Sequence, residues 1–263
     1  MSPTKKIEYL MKNARTNPIK DASLAARETF MASPAGSFLL AATAGGVVVL
    51  AVSLMLTGPT QAMPFAVLAG IMAYLLATIW TTNRLIRNFP HSTLGLCNVA
   101  TLGRLVIVAI LFVALLEGLA PSWATFGLAV LALGLDGIDG WLARKQGLSS
   151  EFGARFDVEV DAAFALVLAV FAAVNGAAGP YVILLGVPYY VFVAAKSVLP
   201  WLDQPLPEKF SRKVVCVFQI GALITLQVPF LADGRLGLVT LAVAGALLWS
   251  FGRDIFWLWR QSK

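Results

Sequence analysis

Four aspartates concentrate the acidity of this chain. Asp136 and Asp139 stand three residues apart, and Asp157 and Asp161 four apart, all between Leu135 and Phe164. On an α-helix a three-residue step turns about 60° and climbs ~4.5 Å, and a four-residue step also returns to the same face. Gly140 and Ala143 share the face of the first pair, which leaves room for a ligand beside the carboxylates. Four carboxylates in one small volume repel one another unless a cation sits among them. Mg2+ or Mn2+, hard ions that prefer oxygen ligands, are the usual solution, and such an ion commonly holds a phosphate or diphosphate. Arg144 and Arg155 flank the aspartates and can bind further phosphate oxygens. Glu159, two residues from Asp157, points to another face, and Glu151 falls in the connecting loop; both read as structural or solvated. Cys97 and Cys216 read as small buried hydrophobes, and His91, the one histidine, has no second histidine to work with.

The elements that must hold these groups are membrane helices. Of the 263 residues, 59% are apolar before any of the 22 glycines is counted, and only 13% are charged. Soluble domains reach roughly 45–50% with glycine included. Disordered chains, disulfide scaffolds and nucleic-acid-binding domains are excluded. Eight apolar runs cover about 37–57, 63–81, 99–116, 122–142, 160–175, 181–199, 214–232 and 236–252. Most approach the ~20 residues that cross a bilayer, and lipid-exposed backbone must satisfy itself, so helices are expected. The run at 160–175 begins among acids and is expected to extend as a helix beyond the bilayer core. Turn chemistry separates the runs at Gly58-Pro59-Thr60, Gly118 to Pro121, Asn175-Gly176 and Asp233-Gly234.

Assigning the connections to alternate sides puts 19 of the 20 Lys and Arg residues on one side and Arg235 alone on the other. This bias predicts an even number of spans, with both termini and the aspartates on the cytoplasmic side of a cell inner membrane. The basic segment 1–20 suits a surface helix or a solvated tail. A polar linker at 82–97 is expected to separate residues 1–90, with the first two spans, from 91–263.

The spacing Asp136-x2-Asp139-Gly140-x2-Ala143-Arg144-x8-Gly153-x3-Asp157-x3-Asp161 resembles the complete signature of the CDP-alcohol phosphatidyltransferase family. Asn98-x2-Thr101-x2-Arg104 is similar to the opening of that family's first core helix. The resemblance covers about 91–263 and implies an all-α, polytopic bundle: a six-helix catalytic core, here preceded by two additional transmembrane helices. It implies that Asp136, Asp139, Asp157 and Asp161 bind two metal ions, and that Asp161 is also the general base. Gly140, Ala143 and Gly153 would line the cytidine pocket, Arg144 would hold the diphosphate, and Asn98 and Thr101 would touch the nucleotide; Asp136 and Asp139 would adjoin it. CDP-diacylglycerol and a polar alcohol are the implied substrates, and a homodimer the implied assembly.

The acceptor is less defined. Lys196, Arg212 and Lys213, with Arg155, could form a basic pocket for a phosphorylated alcohol, although orientation alone also places cations at such helix ends. The reverse chemistry, a soluble CDP-alcohol reacting with a lipid alcohol, uses the same signature. A membrane prenyltransferase would need two separated aspartate-rich motifs, whereas these carboxylates form one block. A transporter would use the aspartates as ion sites and show flux without turnover.

Overall fold

The computed structural model describes residues 33–58, 64–204, 210–231 and 236–262. The 1–20 segment and the Asp233-Gly234 turn lie outside the described residues. Eight α-helices are described: α1 Pro34–Thr57, α2 Pro64–Asn88, α3 Gly95–Leu116, α4 Trp123–Gln146, α5 Glu151–Val174, α6 Pro188–Val198, α7 Phe210–Thr225 and α8 Gly237–Gln261. Short 3-10 turns cover Pro180–Leu185 and Pro200–Asp203. The fold is all-α, as apolar runs in lipid demand.

By length and composition α1, Phe65–Asn88 within α2, α3 and α8 can each cross a membrane. Large apolar side chains stand exposed along them, including Leu40, Met55, Leu76, Ile79, Leu238 and Trp249. So broad an apolar exterior is suited to lipid and not to water.

α3 is the hub. Leu102, Leu105 to Leu111, Val113 and Ala114 are buried on it, so it is covered nearly all round. Its principal neighbours are α1, α2, α4 and α5. The N-terminal pair is fitted closely against it. Tyr74 of α2 donates a hydrogen bond to the Ala42 carbonyl of α1 at 2.8 Å. A Cβ on Gly45 would meet the Tyr74 hydroxyl and would lie 2.8 Å from Val106 Cγ2; a Cβ on Gly70 would collide with Val113. Phe38 of α1 meets Phe156 of α5 edge-on at 6.1 Å.

Four boundaries differ from the sequence reading, one being that of α8, which continues past 252 to Gln261. α2 continues to Asn88, so Arg84 and Arg87 are helical and the connection to α3 is short. The run at 181–199 is not one helix but a 3-10 turn followed by α6. Pro188 has no N–H to continue a helix. Gly186 lies against α5, where a Cβ would come within 2.7 Å of Leu166 Cα and 3.2 Å of the Ala165 carbonyl oxygen. The run at 214–232 starts earlier and stops being α-helical after Thr225, shortly before Pro229. There the Gln227 side chain donates to the Leu168 and Leu223 carbonyls at 3.3 and 3.2 Å. Buried backbone in an apolar setting needs such partners.

Candidate functional site

α4 ends at Gly147, whose φ of +62° is left-handed and suits glycine. Ser150 then caps α5, accepting from the Gly153 N–H at 3.0 Å, with Glu151 in the first turn. A serine cap and an acid at a helix N-terminus both satisfy its unpaired N–H groups and dipole. This connection is short, yet α4 and α5 make far fewer contacts with each other than each makes with α3 among the described residues. The hub helix stands between them and projects Arg104 into the gap.

Arg104 is the centre of the site. Its side chain is 2% exposed, and its guanidinium pairs with Asp136 at 2.9 Å and with Asp157 and Asp161 at closer range. One oxygen from each carboxylate can be chosen so that all three lie within 4.8 Å of one another. The carboxylates themselves are 35–43% exposed. The donor set is therefore three hard anionic oxygens, open on one side, around a place that already accommodates positive charge. That chemistry fits a divalent ion of the Mg2+ or Mn2+ type. The Asp139 side chain lies outside the described residues.

Sequence reading assigned Arg104 no role beyond its place in the opening motif. The signal was present: an arginine inside an otherwise apolar run must be paired or line a site. Its place three residues after Thr101 put it about 60° around the axis from that side chain.

A cleft beside the carboxylates is lined by Asn98, Thr101, Gly140, Gly153 and Asp157, with Ser149 and Ser150 from the connection. A Cβ on Gly153 would lie 3.2 Å from Asn98 Oδ1, so the glycine keeps this wall thin. The side chains of Asn98 and Thr101 also bond back to their own helix, at Leu94 and Cys97. The side chains of Ala143 and Arg144 lie outside the described residues. A second opening, bounded by Asp136, Asp161, Arg104, Cys216, Val217 and Ile220, reaches the carboxylates from α7.

The four basic residues expected around an acceptor are dispersed. Arg155 is exposed, pairs with Glu151 at 2.6 Å and lines a different cavity, against α2. Lys196 pairs with Asp203 at 3.1 Å. Arg212 pairs with Asp254 of α8 at 2.9 Å and sits one helical turn before Cys216, which lines the second opening. Lys213 is exposed on the neighbouring position of α7.

The sequence profile of the CDP-alcohol phosphatidyltransferase family matches residues 94–250. The chain belongs to the CDP-alcohol phosphatidyltransferase family, and with its apolar spanning helices it is an integral membrane protein. The family transfers a phosphatidyl or phospho-alcohol group from a CDP-alcohol and generally uses divalent metal ions. No curated protein and no solved structure matches the chain.

Proposed function

We propose that the protein moves a phosphatidyl group from CDP-diacylglycerol to a polar alcohol and releases CMP. The observation that carries this reading is the juxtaposition of two things: three carboxylates converging on one point, and a glycine-walled cleft opening beside them. The cleft accepts the cytidine, with Gly140 and Gly153 leaving room for its ring, Ala143 adjoining them, and Asn98 and Thr101 beside it. Arg144 holds the diphosphate. Asp136, Asp139, Asp157 and Asp161 hold two divalent ions, which when bound neutralise the charge developing on the diphosphate oxygens.

Asp161 takes the proton of the acceptor hydroxyl as its oxygen forms a bond to the phosphorus next to the lipid. The bond from that phosphorus to the CMP oxygen breaks, and CMP leaves as the anion. Arg104 keeps the carboxylates of Asp136, Asp157 and Asp161 together, so that the base and the ion-binding oxygens share one site. The acceptor reaches Asp161 through the opening from α7, where Arg212 and Lys213 would attract a phosphorylated alcohol. The 19-to-1 bias of basic residues supports a cytoplasmic active site and cytoplasmic termini. The six-helix catalytic unit is taken to run from 91 to 263, and the assembly to be a homodimer.

The test is to incubate the purified protein with CDP-diacylglycerol and Mg2+ or Mn2+. A panel of glycerol phosphate, inositol, inositol phosphate, serine and choline is supplied as acceptors, and CMP release is followed. Release that depends on one acceptor is expected. If CDP-diacylglycerol neither binds nor yields CMP with any acceptor, the reading fails.

A further inference from the structure

A cavity of about 370 Å³ near the polar end of the bundle does not belong to the carboxylate site. It lies between α2 and α5 and carries Arg84, Arg155 and Asn88 on its polar walls, with Trp80 and Phe156 beneath them. Arg84 lies over the Trp80 ring, 4.5 Å from its centroid, and no carboxylate among the described residues pairs with it. Arg155 has Glu151 as its partner, but both are largely exposed. An exposed pair of this kind is worth little, so an incoming anion competes readily for the guanidinium.

A second cavity of about 230 Å³ continues below, sharing Trp80, Thr81 and Phe156 with the first. Ala77, Leu105, Val160 and Ala163 make its walls apolar. Glu159 lines this lower part, whereas the upper end carries two arginines against Glu151 alone, so an anionic group is favoured there. The pair of cavities is thus amphipathic along its length: two guanidiniums at the helix ends, and an apolar slot leading toward the middle of the bundle. On α5, Arg155 and Asp157 are two positions apart, about 200° around the axis, so this site and the carboxylates occupy opposite faces.

We propose that this groove binds one anionic phospholipid, its phosphate between Arg84 and Arg155 and one acyl chain in the slot walled by Ala77 and Ala163. Guanidinium groups recognise phosphate through charge-assisted hydrogen bonds, and the slot supplies the apolar contact that a free phosphate ester cannot use. The site is independent of the transfer reaction and requires only that the chain sits in a bilayer.

The test reads the lipids that stay with the full chain. The protein is purified from vesicles of equal phosphatidylcholine and phosphatidylglycerol, and retained lipids are counted by native mass spectrometry. Wild type is expected to keep one phosphatidylglycerol with a preference of about tenfold over phosphatidylcholine, whose phosphate is the same but whose choline cation the two guanidiniums repel. Arg84→Gln, which keeps good helix propensity, should lose that preference, and Arg84→Lys should keep part of it. Ala77→Leu, which retains both arginines but narrows the slot, should lower retention several-fold. No preference in wild type, or the same preference in Arg84→Gln, overturns the proposal. So does displacement of the lipid by millimolar glycerol phosphate, which would make the groove a site for a soluble phosphate ester.

Discussion

Arg104 on α3 faces three carboxylates, whereas Asp254 on α8 is approached by two arginines, Arg212 at 2.9 Å and Arg253 at 3.8 Å. The two centres are charge inverses, and their burial is inverted as well. In the first the lone cation is 2% exposed and the acids 35–43%. In the second the lone acid is 8% exposed and the arginines about a third. Each centre buries its minority charge and turns the majority charge outward. The buried member is the counter-ion that keeps like charges together, and the outward members are the more exposed. An acid-rich mouth suits metal ions, and a base-rich one suits a phosphate.

Breaking the acid-rich centre is expected to have the largest effect. Asp161→Asn should lower CMP release by roughly 10²–10⁴-fold, the range for loss of a general base, while CDP affinity measured by calorimetry stays close to wild type. Normal turnover in that variant would remove Asp161 from its role. Next comes the cleft beside it. Gly140→Leu should weaken CDP binding by roughly 10–100-fold, the cost of forcing extra methylenes into a filled space. An unchanged affinity would mean that the nucleotide lies elsewhere.

The base-rich centre is expected to respond differently. Asp254→Asn removes the charge that gathers two arginines and should cost roughly 1–3 kcal/mol of stability, seen as a lower thermal midpoint. Under the proposed reaction it should also raise KM for a phosphorylated acceptor while sparing CDP binding; equal losses in both would erase the distinction between the two centres. The smallest effect is expected where a pair is exposed. Glu151→Gln frees Arg155 and should shift stability by no more than about 1 kcal/mol. A large drop in the melting temperature would show that this pair is structural after all.

Much of the fold could be read from the chain because lipid leaves few options. Uncharged runs of the right length become helices; α1 and α3 do so close to the expected places, while α2 and α8 start there and run on into polar sequence. Asp136, Asp157 and Asp161 were legible for a related reason: carboxylates repeated at three and four residues have one helical face to occupy. Local pattern failed where the decisive partner was distant in sequence. Arg104 is 32 residues before Asp136 and 57 before Asp161, so no spacing rule within one helix links them. The same holds for Arg212 and Asp254. Closeness in sequence to Asp157 puts Arg155 beside the aspartates of its own helix, but its position on the far face of α5 turns it toward α2 instead. The break at Gly186 depends on the α5 backbone passing close by, which composition does not reveal.

The tight fit of Gly45 and Gly70 around Tyr74 and Val113 bears on how the chain can be shortened. A fragment beginning near residue 91 would keep every signature aspartate, yet it would strip α1 and α2 from the helix that carries Arg104. Its bared flank would hold surfaces shaped for the backbone at Gly45 and Gly70, over Val106 and Val113. The packing has no seam near position 90, and truncation would cut through a joint that backs the helix carrying Arg104.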